Sequence, residues 1–178
     1  MPEVREEKRV QLSGEVVQVV SFQLGTEEYG VDIAQVQEII RMVEITHVPR
    51  APRFMEGVIN LRGQLIPIID LRTRFAMKRI SATKSTRIIV TEIGSKRVGI
   101  VVDSVSEVNN IPIENVEEAP EMIAGVGTEY IQGVGKMGDR LIIMLDLTMV
   151  MSGDEKHELQ QIEPQALASE PAAEQLTY

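Results

Sequence analysis

The chain has 178 residues, room for one domain or two small units packed together. It carries 18 Lys and Arg against 27 Asp and Glu, for a net charge of -9, and no Trp; that balance repels phosphate backbones and leaves few rings for base stacking, which argues against a nucleic-acid partner. The lack of Cys removes disulfides and thiolate chemistry, and no apolar run approaches the roughly 18 residues of a membrane span.

The opening "MPEVREEKRV" has no apolar core of a signal peptide, so residues 1–14 read as a charged, flexible arm of a soluble, cytoplasmic protein. "VVQVVSFQLG" and "EEYGVDI" follow as one hairpin, with Gly25 at its turn. "IAQVQEII" carries a weak helical signal. Read instead as a strand, it places Val36, Glu38 and Ile40 on one face. "GVINLRGQLIPIIDL" reads as a second hairpin, with Val58, Asn60 and Arg62 sharing a strand face. Its Pro67 cannot donate to a ladder, which points to a strand edge or bulge, and the edge should be covered by the sister unit or by another protein. "RIIVTEIG" with "KRVGIVV" gives the third hairpin, "VSEVNNIPI" a further strand with Val105 and Glu107 on one face, and "GVGKMGDRLIIMLDL" the fourth hairpin.

The halves repeat. A shift of 69 places Gly25 on Gly94, Gly30 on Gly99, Val36 on Val105 and Glu38 on Glu107. A shift of 76 then places Gly57 on Gly133, Leu65 on Leu141, Asp70 on Asp146 and Leu71 on Leu147. About seven residues are therefore extra in the second half, within "PIENVEEAPEMIAGVGTEY". The predicted fold is all-β: two similar β-units, roughly 16–85 and 86–152, too small to hold separate cores and so packed together, with strands open to exchange between them. From 153 to 178 the chain is polar, with a short helix possible through "EKHELQQI" and disorder beyond it.

Few residues suggest chemistry. "GVGKMG" matches a dinucleotide fingerprint, but a strand follows where a helix is required, and Gly138-Asp139 reads better as a two-residue hairpin turn. Asp70 and Asp146 occupy equivalent positions, which raises a hydrolase built on a shared-proton carboxylate pair. The cheaper reading is that each caps a short helical turn. His47 and His157 have no metal-like spacing, and no cofactor or metal is expected. Glu38, Asn60 and Arg62 read either as solvated side chains or as groups presented to a partner, Arg being enriched at interface hot spots.

"FQLGTEEYGVDIAQVQEII", "HVPRAPRFMEGVINLRGQLIPIIDLR", "VGIVVDSVSEV" and "YIQGVGKMGDRLIIMLDL" together resemble the CheW family of chemotaxis coupling proteins, over residues 18 to about 151. The resemblance implies two five-stranded SH3-like barrels around a shared core. It implies a non-enzymatic adaptor that joins the cytoplasmic tips of methyl-accepting chemoreceptors to the histidine kinase CheA, through the kinase's regulatory domain. The chain is expected to be a monomer alone, and to be recruited to receptor arrays at the inner face of the membrane without inserting into it. Glu38 and Arg62 match family positions implicated in coupling, with Asn60 beside Arg62. Val36, Val105 and Val108 match positions near the groove for the receptor tip, and Gly57, Gly99 and Gly133 match family glycines. The nearest rival reading is a module of the same kind that docks to a different signalling kinase.

Overall fold

Each of the four hairpins forms where the glycines punctuate the sequence. The computed structural model describes residues 15–118 and 130–161. The expected arm 1–14, much of the expected insertion (119–129) and the tail beyond 161 lie outside the described residues. The strands are β1 Val16–Leu24, β2 Glu27–Asp32, β3 Glu38–Arg41, β4 Gly57–Leu61, β5 Gln64–Asp70, β6 Arg87–Ile93, β7 Lys96–Val102, β8 Ser104–Pro112, β9 Val116–Glu117, β10 Ile131–Met137 and β11 Arg140–Leu145. Two α-helices, α1 Leu71–Arg74 and α2 Gly153–Gln161, and three single 3-10 turns complete the described chain. The fold is all-β, as expected.

The strands form two sheets, in the orders β8-β1-β2-β11-β10-β9 and β3-β6-β7-β5-β4. The sheets do not follow the halves of the sequence. β2 of the first half runs parallel to β11 of the second, and β5 of the first half runs parallel to β7 of the second. The first sheet has a sixth strand, β9, which pairs with β10 through Val134 and Gly135. Its counterpart in the other sheet is reduced to one bridge, Thr46 to Val58. Pro67 is not on an outer strand, because β5 lies between β7 and β4. The parallel ladder with β7 begins only at Ile68, so the missing Pro67 N–H falls just outside it.

Alternation along the strands fills three cores, beside a smaller cluster of Val48, Met55 and Val58. Val20, Phe22, Ile89 and Ile100 face the space between the sheets, with Leu71, Leu145 and Leu147. Their neighbours point the other way: Ile88 and Val90 join Ile59, Ile66 and Ile68 inside one barrel, and Val19 joins Ile111, Ile142 and Met144 inside the other. Runs such as "RIIV" are apolar on both faces because both faces are buried. Four of the six aromatic residues form a chain of ring contacts in the shared core, where Phe22 stacks on Tyr29, Tyr29 meets Phe75 tilted at 50° and Phe75 stacks on Tyr130, with centroids 5.7, 5.7 and 5.1 Å apart. Each fully buried side chain of this size contributes about 1.5–3 kcal/mol.

The sequence set the edge of the core near residue 152, but α2 carries it further. Ser152 and Glu155 form a reciprocal capping box: Glu155 N donates to Ser152 Oγ at 3.1 Å and Ser152 N to Glu155 Oε1 at 2.9 Å. Arg74 anchors the helix through Glu155 at 2.9 Å and the Val150 carbonyl. Leu159 is thereby held in the shared core at 1% exposure.

Asp103 ties three segments together. It accepts from Arg72 Nε and a terminal Arg72 nitrogen, both at 2.8 Å, and from Gly25 N in the β1-β2 turn at 2.8 Å. The Arg72 hydrogen bonds hold its carboxyl below the ordinary carboxylate value, against partial burial. Stability from this group is therefore in place at neutral pH and is lost as the pH falls through the ordinary carboxylate range and on through the lower folded value. Asp103→Asn is expected to cost about 2 kcal/mol at pH 7 and progressively less in that acid range. Urea melts of both proteins at neutral and acid pH check it. Burial holds the Asp70 carboxyl above its ordinary value, so Asp70 acts in the opposite sense and adds stability on acidification.

Candidate functional site

Turn chemistry comes first, because it places Arg62. β4 ends at Leu61, and Arg62 and Gly63 form the two-residue turn to β5. Both have positive φ, 53° and 86°, the type I′ pattern, which favours Asn-Gly rather than Arg-Gly. The Asn60 side chain closes the turn by accepting from Gly63 N at 2.8 Å. Val58, Asn60 and Arg62 therefore do not share one strand face. Val58 is buried beside Val48 and Met55, Asn60 is exposed, and Arg62 leaves the strand altogether.

From this turn Arg62 reaches across to Glu38 on β3. Its two terminal nitrogens donate to the two carboxylate oxygens at 2.9 and 2.6 Å, a bidentate pair. These hydrogen bonds hold the Glu38 carboxyl below its ordinary value, against partial burial and with help from the charge of Arg97. Arg97 on β7 approaches the same carboxylate at 3.4 Å and also donates to Gln37 at 3.0 Å and Gln64 at 2.6 Å. The sequence singles out Glu38 and Arg62, which the structure brings together, but not Arg97, Gln37 and Gln64; Arg97 is 59 residues from Glu38, and no local pattern marks it. Arg62 keeps 65% of its side chain exposed while paired.

The second half lacks this clasp. The position equivalent to Arg62 is Gly138, at φ 60° in the expected Gly138-Asp139 turn. Glu107, the counterpart of Glu38, is 59% exposed and lies 3.8 Å from Arg140, which is engaged in a bidentate pair with Glu28 at 2.6 and 3.2 Å. The duplication preserves what builds the barrels and diverges at this charged pair.

The valines sit differently from their strand reading. Val36 follows the 3-10 turn Ile33–Gln35 and packs at the margin of the shared core, whereas Ile40 packs inside a barrel, so the two are not on one face. On β8, a bulge between the Val20–Val108 and Phe22–Val105 pairs takes up Ser106 and Glu107. It returns Val105 and Val108 to the same side, opposite two residues of the shared core, and removes Glu107 from Val105's face. Val105 is partly buried, and Val108 is 50% exposed.

The three glycines have steric work to do. A Cβ on Gly57 would meet the Thr46 carbonyl oxygen, and one on Gly133 would come within 2.6 Å of the Glu117 carbonyl oxygen. One on Gly99 would meet Ile68 Cδ1 at 2.6 Å and Ile88 at 2.8 Å.

Asp70 and Asp146 do not form a catalytic pair. Asp70 closes β5 in one sheet and accepts from Arg72 N at 2.9 Å; Asp146 follows β11 in the other and accepts from Thr148 N at 3.0 Å. Asp146 also accepts from Gln35 at 2.7 Å. Its carboxyl is raised by burial, but these hydrogen bonds together bring it below its ordinary value. A cavity of about 140 Å³ beside Asp70 is lined by the Arg72–Asp103 and Arg79–Glu56 ion pairs, so both of its cations are engaged within the chain.

Two interleaved β-barrels around a shared core, with one asymmetric charged clasp at the surface, define a duplicated β-barrel scaffold. The chain belongs to the CheW-like domain family, whose model matches residues 18–155. It is 43% identical over 146 residues to the chemotaxis protein CheW of Klebsiella aerogenes, covering 81% of this chain and 88% of that one. It is 34% identical over 152 residues to the chemotaxis protein CheW of Treponema pallidum, covering 83% and 89%. The crystal structure of the scaffolding protein TtCheW from Thermoanaerobacter tengcongensis matches with a TM-score of 0.71 at 37% identity, covering 79% of this chain and 90% of that one. Chemotaxis and a scaffolding role follow from this membership.

Proposed function

We propose that this protein is a non-enzymatic, cytoplasmic adaptor that joins chemoreceptors to the histidine kinase CheA. One surface, on the edge strands of the β3-containing barrel, packs against the kinase's regulatory domain. A separate groove takes the receptor's helical tip, with Val36, Val105 and Val108 as apolar contacts. Asn60, Arg62 and Glu38 set orientation and partner choice, since charge complementarity serves specificity more than bulk affinity.

The observation that carries this reading is the Arg62–Glu38 clasp. It stands on a backbone conformation that Arg disfavours, is present in one half and absent from its duplicate, and leaves Arg62 largely exposed. Backbone strain kept at an exposed, charged position is a mark of function rather than of folding.

Calorimetric titration with the regulatory domain of a chemotaxis histidine kinase, at low and high salt, tests it. Saturable one-to-one binding with a negative heat-capacity change is expected. A folded protein that gives no heat and no co-elution with that domain would remove the kinase from the proposal.

A further inference from the structure

Charge is unevenly spread along this chain. Residues 39–91 hold ten Lys and Arg but three Asp and Glu, a net charge of +7 within a chain of net -9. Inside that block, Arg41 on β3 stands directly opposite Arg87 on β6. Like charges facing each other across an antiparallel pair destabilise it. Among the described residues no carboxylate comes within 4.0 Å of Arg41, Lys84 or Arg87 to relieve this. Among the described residues Arg87 donates to the Lys84 and Thr86 carbonyls, at 2.7 and 2.9 Å. Arg41, Lys84 and Arg87 line a groove of about 460 Å³ with Met42 and Thr83.

The groove lies beside an open edge. β3 is the outermost strand of its sheet, so its far backbone edge has no strand partner among the described residues. Ile39 and Val43, along the same stretch, are 39% and 44% exposed. An unpaired edge, exposed aliphatic side chains and unmatched cations ask for three things at once: backbone hydrogen bonds, apolar cover and carboxylates.

We propose that β3 and this groove form a docking site for an extended acidic segment of a partner protein. The segment adds to the β3 edge by backbone pairing, places carboxylates against Arg41, Arg87 and Lys84, and covers Ile39 and Val43 with alternate apolar side chains. A free oxyanion would satisfy the cations but leave the edge and the aliphatic side chains bare. A nucleic acid would satisfy the cations but has no peptide backbone to pair with the β3 edge, and a lipid surface would meet a groove instead of a flat basic face. The proposed site shares β3 with the edge surface assigned to the kinase's regulatory domain, but its cations, Arg41, Lys84 and Arg87, stand apart from the Arg62–Glu38 clasp, so their substitution tests it separately from that reading.

The test uses the full chain and a fluorescein-labelled peptide of about ten residues alternating Glu and Val, long enough to pair with one strand. Fluorescence anisotropy is expected to show saturable binding that weakens as salt rises. Arg41→Glu is expected to weaken it about tenfold or more, as charge reversal at a contact does. The same substitution turns a cross-strand repulsion into an attraction, so the melting temperature should hold or rise, which separates lost binding from lost folding. Lys84→Glu, outside the strands, should weaken binding as well. The proposal is overturned if the wild type shows no saturable binding, if both variants bind as well as the wild type, or if Arg41→Glu melts lower. Tighter binding of inorganic phosphate, phosphatidylglycerol vesicles or single-stranded RNA than of the peptide also overturns it, by assigning the groove to a different ligand.

Discussion

Arg62→Asn is expected to leave the protein as stable as the wild type, or more so, while abolishing its control of the kinase. The two effects part company because Arg62 has two roles. As a backbone unit it occupies the first central position of a type I′ turn at φ 53°. Asn tolerates that conformation well, and Asn-Gly is the preferred pair for it. As a side chain it clasps Glu38 with two hydrogen bonds, at 2.9 and 2.6 Å, and presents a guanidinium to solvent. Asn is too short to do either. Kinase activation in a reconstituted receptor–kinase–adaptor complex should therefore fall about tenfold or more, the scale of losing a hot-spot Arg. Thermal melts should show a midpoint at or above that of the wild type. Arg62→Ala is a poorer probe, because Ala at positive φ is strained and mixes a folding defect into the result. Full activation by the well-folded Asn variant would sink the role assigned to Arg62.

Gly57→Ala is expected to cost about 2–4 kcal/mol, adding overpacking to the loss of backbone hydrogen bonds. The new methyl would press on the Thr46 carbonyl and lie 2.7 Å from Ile45 Cγ2. Thr46 and Val58 exchange two backbone hydrogen bonds, 2.8 and 2.9 Å, and cannot keep both if the chains part. The same push would move β4, and with it the turn that carries Arg62. Gly63→Ala provides the comparison: it has positive φ but nothing within 4 Å of an added Cβ, so it carries only the conformational penalty, about 1 kcal/mol. Urea denaturation of both variants decides the matter. Equal midpoints would mean that the close approach at Gly57 is not what its glycine serves.

Much of this architecture could be read locally. Glycines at 25, 94 and 138 open hairpin turns at positive φ, and the duplication exposed the equivalence of Gly57 with Gly133. Aspartates at the ends of β5 and β11 announced caps, because a carboxylate just before a helical turn meets its free N–H groups. What escaped depended on geometry between distant residues. Nothing near Arg62 says that its turn begins one residue earlier than strand alternation suggests. The β8 bulge, which reverses the facing of Glu107, comes from pairing with β1 some 85 positions away. Pro67 suggested an edge because the reading could not know that the β7 ladder starts one residue later. Arg97 is joined to Glu38 only through β6 and β7. "SGDE" at 152–155 is a different kind of miss: a local capping-box signal was present and was passed over in a polar stretch.

The interleaving of the sheets also constrains how the chain matures as it is made. β1 and β2 leave the ribosome first, yet their neighbours in the sheet, β8 and β11, are among the last strands synthesised. Hairpins form from local chain in microseconds, but this one cannot be flanked until most of the polypeptide has emerged. At an elongation rate of about 5–20 residues per second, several seconds separate β2 from β11. For most of that interval Val20, Phe22 and Leu24, enclosed in the finished protein, have only β2 of their own sheet beside them. A newborn chain of this design is thus a natural client for chaperones at the tunnel exit, and neither half is a folding unit in its own right.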